Sequence, residues 1–189
     1  MLRKDRLGQY SNWHCGGSVI SDQWVLTAAH CVENDDEGDV VSVTVELGQH
    51  HRNIKAMKII IPLAQVFIHP NYKYPPIFDL ALLKLDAPVD FNRVPHVRPV
   101  CLPSKKDERF AGLRATVVGW GDTSVDGRMS DVPLETDVYV ISDSKCKKIY
   151  GAMITDDMIC AISPKDGAKY QGSCVGDSGC STINDLSAF

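Results

Sequence analysis

Between residues 41 and 47 the chain alternates apolar and polar positions, with Val41, Val43, Val45 and Leu47 set against Ser42, Thr44 and Glu46. A period of two puts the apolar set on one face of an extended segment, so this stretch reads as a half-buried β-strand. Residues 24–27, 80–85, 115–118 and 136–141 are short, aliphatic or β-branched runs and read likewise. Turn formers punctuate them at His69-Pro70-Asn71, Tyr74-Pro75-Pro76, Asp126-Gly127 and Ser163-Pro164. Residues 142–150 suit one short helix, with Ser142 as its N-cap. Many short strands separated by turns predict an all-β barrel or sandwich. The longest apolar stretch, Met57 to Ile68, is interrupted by Lys58, Pro62 and Gln65 and is too short to span a bilayer.

Composition narrows this picture. At 189 residues the chain can bury a sizeable core. A net charge of −4 with no basic stripe argues against nucleic acid as a partner. The acidic run Glu33-Asn34-Asp35-Asp36-Glu37 reads as a solvated loop, with a cation site as the lesser alternative. Seven cysteines in a chain of this size point to an oxidising compartment.

The candidate chemistry lies in three motifs in a fixed order: Thr27-Ala28-Ala29-His30-Cys31, Asp79-Leu80-Ala81-Leu82-Leu83 and Gly176-Asp177-Ser178-Gly179. A serine hydroxyl is a weak nucleophile and needs a base to take its proton. Histidine suits that role near neutral pH, and a carboxylate can hold the ring in one tautomer. Alone, each motif has a plainer reading. The glycines around Ser178 allow a tight turn, His30 is a structural histidine, and Asp79 is a strand-end aspartate in water. Asp79 is the least plain of the three, because a carboxylate leading into Leu80-Ala81-Leu82-Leu83 is costly to bury without a partner. Together they form a His–Asp–Ser constellation in one of its recurrent chain orders.

Six segments carry a family resemblance. They are His14 to Ile20, Trp24 to Cys31, Phe78 to Leu85, Pro99-Val100-Cys101-Leu102-Pro103, Val118-Gly119-Trp120-Gly121 and Gly172 to Gly179. In this order they resemble the trypsin/chymotrypsin family of serine endopeptidases. The resemblance implies an all-β fold of two six-stranded antiparallel β-barrels of the chymotrypsin type, the second incomplete. It implies one peptidase domain over 1–189, with about 1–105 as the first barrel and about 112–189 as the incomplete second. His30, Asp79 and Ser178 would be catalytic. The N–H groups of Gly176 and Ser178 would form the oxyanion hole. Gly172, with Ser173, would sit at the base of the substrate pocket, where the lack of a carboxylate implies a non-tryptic preference.

The resemblance further implies disulfides Cys15–Cys31 and Cys146–Cys160, and leaves Cys101, Cys174 and Cys180 without an implied partner. It also implies that Asp177 pairs with an amino group freed by cleavage. The opening Met1-Leu2-Arg3-Lys4-Asp5 offers no such terminus, and Cys180 stands where the family has a second glycine. No signal peptide is recognisable at residues 1–10. The expected setting is nonetheless secreted or extracellular, with protein or peptide substrates and protease inhibitors as partners and no metal or cofactor. An alternative reading is a non-catalytic serine protease homologue acting as a binding or regulatory module.

Overall fold

Short aliphatic runs become strands here because each can place every second side chain in a shared core. The computed structural model describes residues 1–6, 12–33, 40–54, 58–74, 77–103, 110–124, 127–164, 172–180 and 182–183. Along them lie β1 (Leu2–Arg6), β2 (Asn12–Cys15), β3 (Ser18–Val19), β4 (Trp24–Thr27), β5 (Val40–Leu47), β6 (Ile59–Ile68) and β7 (Ala81–Leu85). After these come β8 (Arg114–Gly119), β9 (Leu134–Ile141), the helix α1 (Asp143–Tyr150), β10 (Cys160–Ile162) and β11 (Thr182–Ile183). The acidic run from Asn34 to Glu37 and the turn residues Pro75, Pro76 and Asp126 lie outside the described residues.

The first sheet has the order β2-β1-β5-β6-β7-β4-β3. Its two edges, β2 and β3, are neighbours in sequence, separated only by Gly16 and Gly17. They act as one bent strand that pairs with β1 at its start and with β4 at its end. That shared strand closes the sheet into a six-stranded barrel and removes its free edges. Bending there brings Gly17 against β4, where an added Cβ would lie 3.0 Å from Val25 Cγ1.

Strand β6 makes the second corner. Its first four residues pair with β5 and the rest with β7, with a register shift between Leu63 and Gln65. Pro62, which has no N–H to donate, stands where the strand changes partners. Within the Met57–Ile68 stretch, Ile59–Ile68 is the longest strand among the described residues. Periodicity did not reveal it, because its apolar residues run almost continuously.

The core lies in this barrel. Leu83 and Leu85 expose nothing, and Leu2, Val25 and Val45 expose 1% each. Burying one such side chain stabilises by about 1.5–3 kcal/mol. The alternation over 41–47 places Glu46 on the polar face, yet Glu46 is also buried. Lys58 Nζ donates to both of its carboxylate oxygens at 3.1 Å, and Arg3 Nη1 lies 3.8 Å from Oε1. Paired in this way, the charge tolerates burial.

The second sheet runs β10-β9-β8-β11 and is four-stranded among the described residues. Ser142 caps α1 by accepting from the Lys145 N–H, and buried Cys146 anchors the helix to β10 through its disulfide with Cys160. The Arg52 N–H donates to the Asp131 carbonyl at 2.7 Å, Asn53 Nδ2 donates to the Asp131 carboxylate at 2.7 Å, and Trp120 Nε1 donates to the His50 carbonyl at 3.2 Å. These bonds tie the two sheets together. Among the described residues the fold is mostly β with one short α-helix, consistent with a double barrel of the chymotrypsin type. No helix among the described residues is long and apolar enough to cross a membrane.

Candidate active site

Strand register assembles the first half of the site. β4 and β7 are antiparallel neighbours, and Thr27, the last residue of β4, pairs with Ala81, the first of β7. Whatever follows Thr27 and whatever precedes Ala81 must emerge at the same end of the barrel. A 3₁₀ turn at Ala29–Cys31 carries His30, and Asp79 lies two residues before Ala81. The Cys15–Cys31 disulfide pins that turn to the bent strand. Closing a loop of this length stabilises by roughly 3 kcal/mol on chain entropy.

The Asp79 carboxylate is forked across His30. Oδ1 accepts the His30 backbone N–H at 2.9 Å, and Oδ2 meets Nδ1 at 2.6 Å. A carboxylate can only accept, so Nδ1 carries the hydrogen and, in the neutral ring, Nε2 carries the lone pair. His30 is 39% and Asp79 23% exposed, so the pair is reachable from solvent. The Cys15 and Cys31 sulfurs also lie near His30, all within 4.8 Å of one another. Both sulfurs are spent in the disulfide, so this cluster offers no thiolate to a metal.

The loop that carries Ser178 docks against the same end of the barrel. The Gly16 N–H donates to the Ser178 carbonyl at 2.7 Å, and a Cβ on Gly179 would strike Thr27 Oγ1 and the Gly16 carbonyl. Gly176 has φ +94°, a conformation that favours glycine, and a Cβ there would lie 2.9 Å from Met129 Cε. Among the described residues no hydrogen bond joins Ser178 to His30, whose Nε2 lies 3.7 Å from Cys31 Sγ. Hydrogen bonds of this kind are often long or misaligned before substrate binds.

The Trypsin family profile matches residues 6–188. The chain belongs to the trypsin family. It is 34% identical over 188 residues to the serine proteinase stubble of Drosophila melanogaster, an alignment covering 94% of this chain and 23% of that protein. The chain thus spans less than a quarter of that relative's length.

Within this trypsin-family chain, Gly172 and Ser173 border a cavity of about 580 Å³ together with Val117, Gly119, Leu134, Thr136 and Asp177. His30, Asp79 and Ser178 do not line it. The structure therefore brings His30 to Asp79 and docks the Ser178 loop beside them, while Gly172 and Ser173 open onto a hollow against β8 and β9 that Asp177 of the same loop also lines.

Sequence reasoning missed the roles of Gly119 and Gly121. The Asp177 carboxylate accepts the Gly121 N–H at 2.7 Å and the Cys174 N–H at 3.0 Å. A Cβ on Gly121 would lie 2.5 Å from the Asp177 carboxyl carbon, and one on Gly119 would collide with Oδ1. The two glycines therefore make room for this carboxylate. The paired glycines around Trp120 were the available signal, but nothing in the sequence said what they accommodate.

Tyr72 was missed as well. Its hydroxyl donates to Glu33 Oε1 at 2.7 Å, and burial, aided by the Glu33 carboxylate, pushes its pKa up. Cys101, Cys174 and Cys180 are free thiols. Burial, with the Asp177 charge beside it, pushes Cys180 up to about 11.

Proposed function

We propose that this chain carries the catalytic site of a serine endopeptidase, with Ser178 as nucleophile, His30 as general base and then acid, and Asp79 as the orienting carboxylate. The forked Asp79–His30 contact is the observation that carries the reading, because it leaves Nε2 free to accept a proton. Ser178 Oγ attacks the scissile carbonyl carbon as its proton passes to His30 Nε2. The imidazolium is stabilised by Asp79 and returns that proton to the leaving amine. Water then repeats the sequence on the acyl-enzyme. The N–H groups of Gly176 and Ser178 would receive the developing oxyanion, and losing one such donor costs roughly 10²–10³ in rate.

Gly172 carries no charge to select Arg or Lys, which favours small or apolar substrate side chains over a tryptic preference. A single peptidase domain over 1–189, first barrel to about 105 and second from about 112, is the matching organisation. Two disulfides and the family fit an extracellular setting with protein substrates. The second reading is a non-catalytic homologue that acts as a binding or regulatory module.

An acyl-enzyme burst separates the two. With a p-nitrophenyl ester, the chain should release up to one equivalent of nitrophenol before steady state, and Ser178→Ala should release none. A burst surviving in Ser178→Ala removes Ser178 as the nucleophile. The absence of any burst from folded protein favours the binding module.

A further inference from the structure

Phe78 immediately precedes Asp79, and its φ of 51° lies in the left-handed region. A bulky side chain rarely adopts that conformation and keeps it only when its surroundings over-determine it. Three contacts do so here. The Phe78 N–H donates to Asp157 Oδ2 at 2.6 Å, across 79 residues of chain. The His69 ring stacks on the Phe78 ring, with centroids 4.9 Å apart and planes 10° from parallel. The Leu80 N–H donates back to the Phe78 carbonyl at 2.7 Å.

Asp157, an exposed residue, has a second hydrogen bond of its own. It lies in the turn before β10, on the second-sheet side of the molecule, and its other oxygen accepts the Thr155 hydroxyl at 2.5 Å. Desolvation works against its charge, but the hydrogen bonds from Thr155, Phe78 and its own backbone N–H, together with His69 nearby, hold its carboxyl below the usual range.

We propose that Asp157 is a positioning residue for the acid–base pair: by holding the Phe78 N–H it keeps the left-handed turn that aims Asp79 at His30. The inference rests on the proposed catalytic reading. Asp79 must satisfy two donors on His30 at once, at 2.9 and 2.6 Å. Relaxing φ at Phe78 swings the peptide that leads into Asp79 and moves its carboxylate off that fork. Misplacement of a catalytic group by about 1 Å costs on the order of 10²-fold. The second sheet would thereby set the geometry of a pair that belongs wholly to the first barrel.

The test uses the full chain and a peptide substrate. Asp157→Ala should lower kcat by roughly 10- to 10²-fold with KM nearly unchanged. Asp157→Asn keeps an acceptor for Phe78 and a donor for Thr155, and should recover most of kcat. Adding Phe78→Gly to Asp157→Ala should also recover kcat, because glycine takes the left-handed conformation without strain. A purely structural role for Asp157 would not be rescued by removing a ring. An unchanged kcat in Asp157→Ala, or a loss that Phe78→Gly does not relieve, overturns the proposal.

Should the wild-type chain prove catalytically silent, the proposed function fails while the positioning inference stays testable in the Ser178→Ala background. The low-field Nδ1 proton resonance of His30 should then be lost to exchange in Asp157→Ala and return with Phe78→Gly. A resonance indifferent to Asp157 overturns the inference on its own.

Discussion

The first barrel and the second sheet are built from similar strands and are buried very differently. In the barrel, one continuous cluster runs from Leu2 through Val25, Val45 and Ile61 to Leu83, Leu85 and Val94. Among the described residues of the second sheet the buried side chains are Ala115, Val138, Val140 and Ile141, with Cys146 beside them, while Leu134 is 49% exposed. His30 and Asp79 emerge from the closed barrel on strands that pair residue for residue. Ser178 lies on a loop held by the Gly16 N–H on one side and, through Asp177, by the Gly121 N–H on the other. One half of the site is thus set by a packed core, and the other depends on how well a loop stays docked.

The largest expected effect probes the barrel's half. Asp79→Asn keeps an acceptor for the His30 backbone N–H but no longer holds the ring in the required tautomer. It should lower kcat by about 10⁴-fold while far-UV circular dichroism and Tm stay near wild type. A loss below tenfold would show that the forked contact is not chemical.

The packing difference is tested next. Leu83→Ala should destabilise the barrel by about 2–5 kcal/mol in denaturant titration. Leu134→Ala, on the sparsely buried sheet, should stay within about 0.5 kcal/mol. Equal effects would mean that the two regions are packed alike. The smallest effect reports loop docking. With Cys180 at about 11, roughly one thiol in 10³ is ionised at pH 8, and the thiolate is the reactive form. Iodoacetamide should therefore modify exposed Cys101 well before Cys180, read by peptide mass mapping. Comparable rates would place the Ser178 loop away from Gly16.

How much of this was legible depended on what each signal could encode. The 41–47 alternation and the Ser142 cap are local, and both returned as elements, β5 and α1. β6 escaped because a strand that switches partners at Pro62 shows no clean period of two. Glu46 reads as a solvent position, since its partner Lys58 lies twelve residues away, just before the next strand. His30 and Asp79 were visible as motif residues, but the β4–β7 register that brings them together is a tertiary fact. Phe78 gave no hint of a left-handed backbone, because that conformation is normally signalled by Gly, Asn or Asp. Asp157 stands in none of the motifs that the sequence singles out.

Labelling by a fluorophosphonate probe, on chain folded with its disulfides formed, tests the central claim most directly. The account predicts covalent labelling of wild type at Ser178, abolished in Ser178→Ala and strongly slowed in His30→Ala. Soluble, disulfide-bonded protein that takes no label, or a Ser178→Ala chain that labels like wild type, would contradict it.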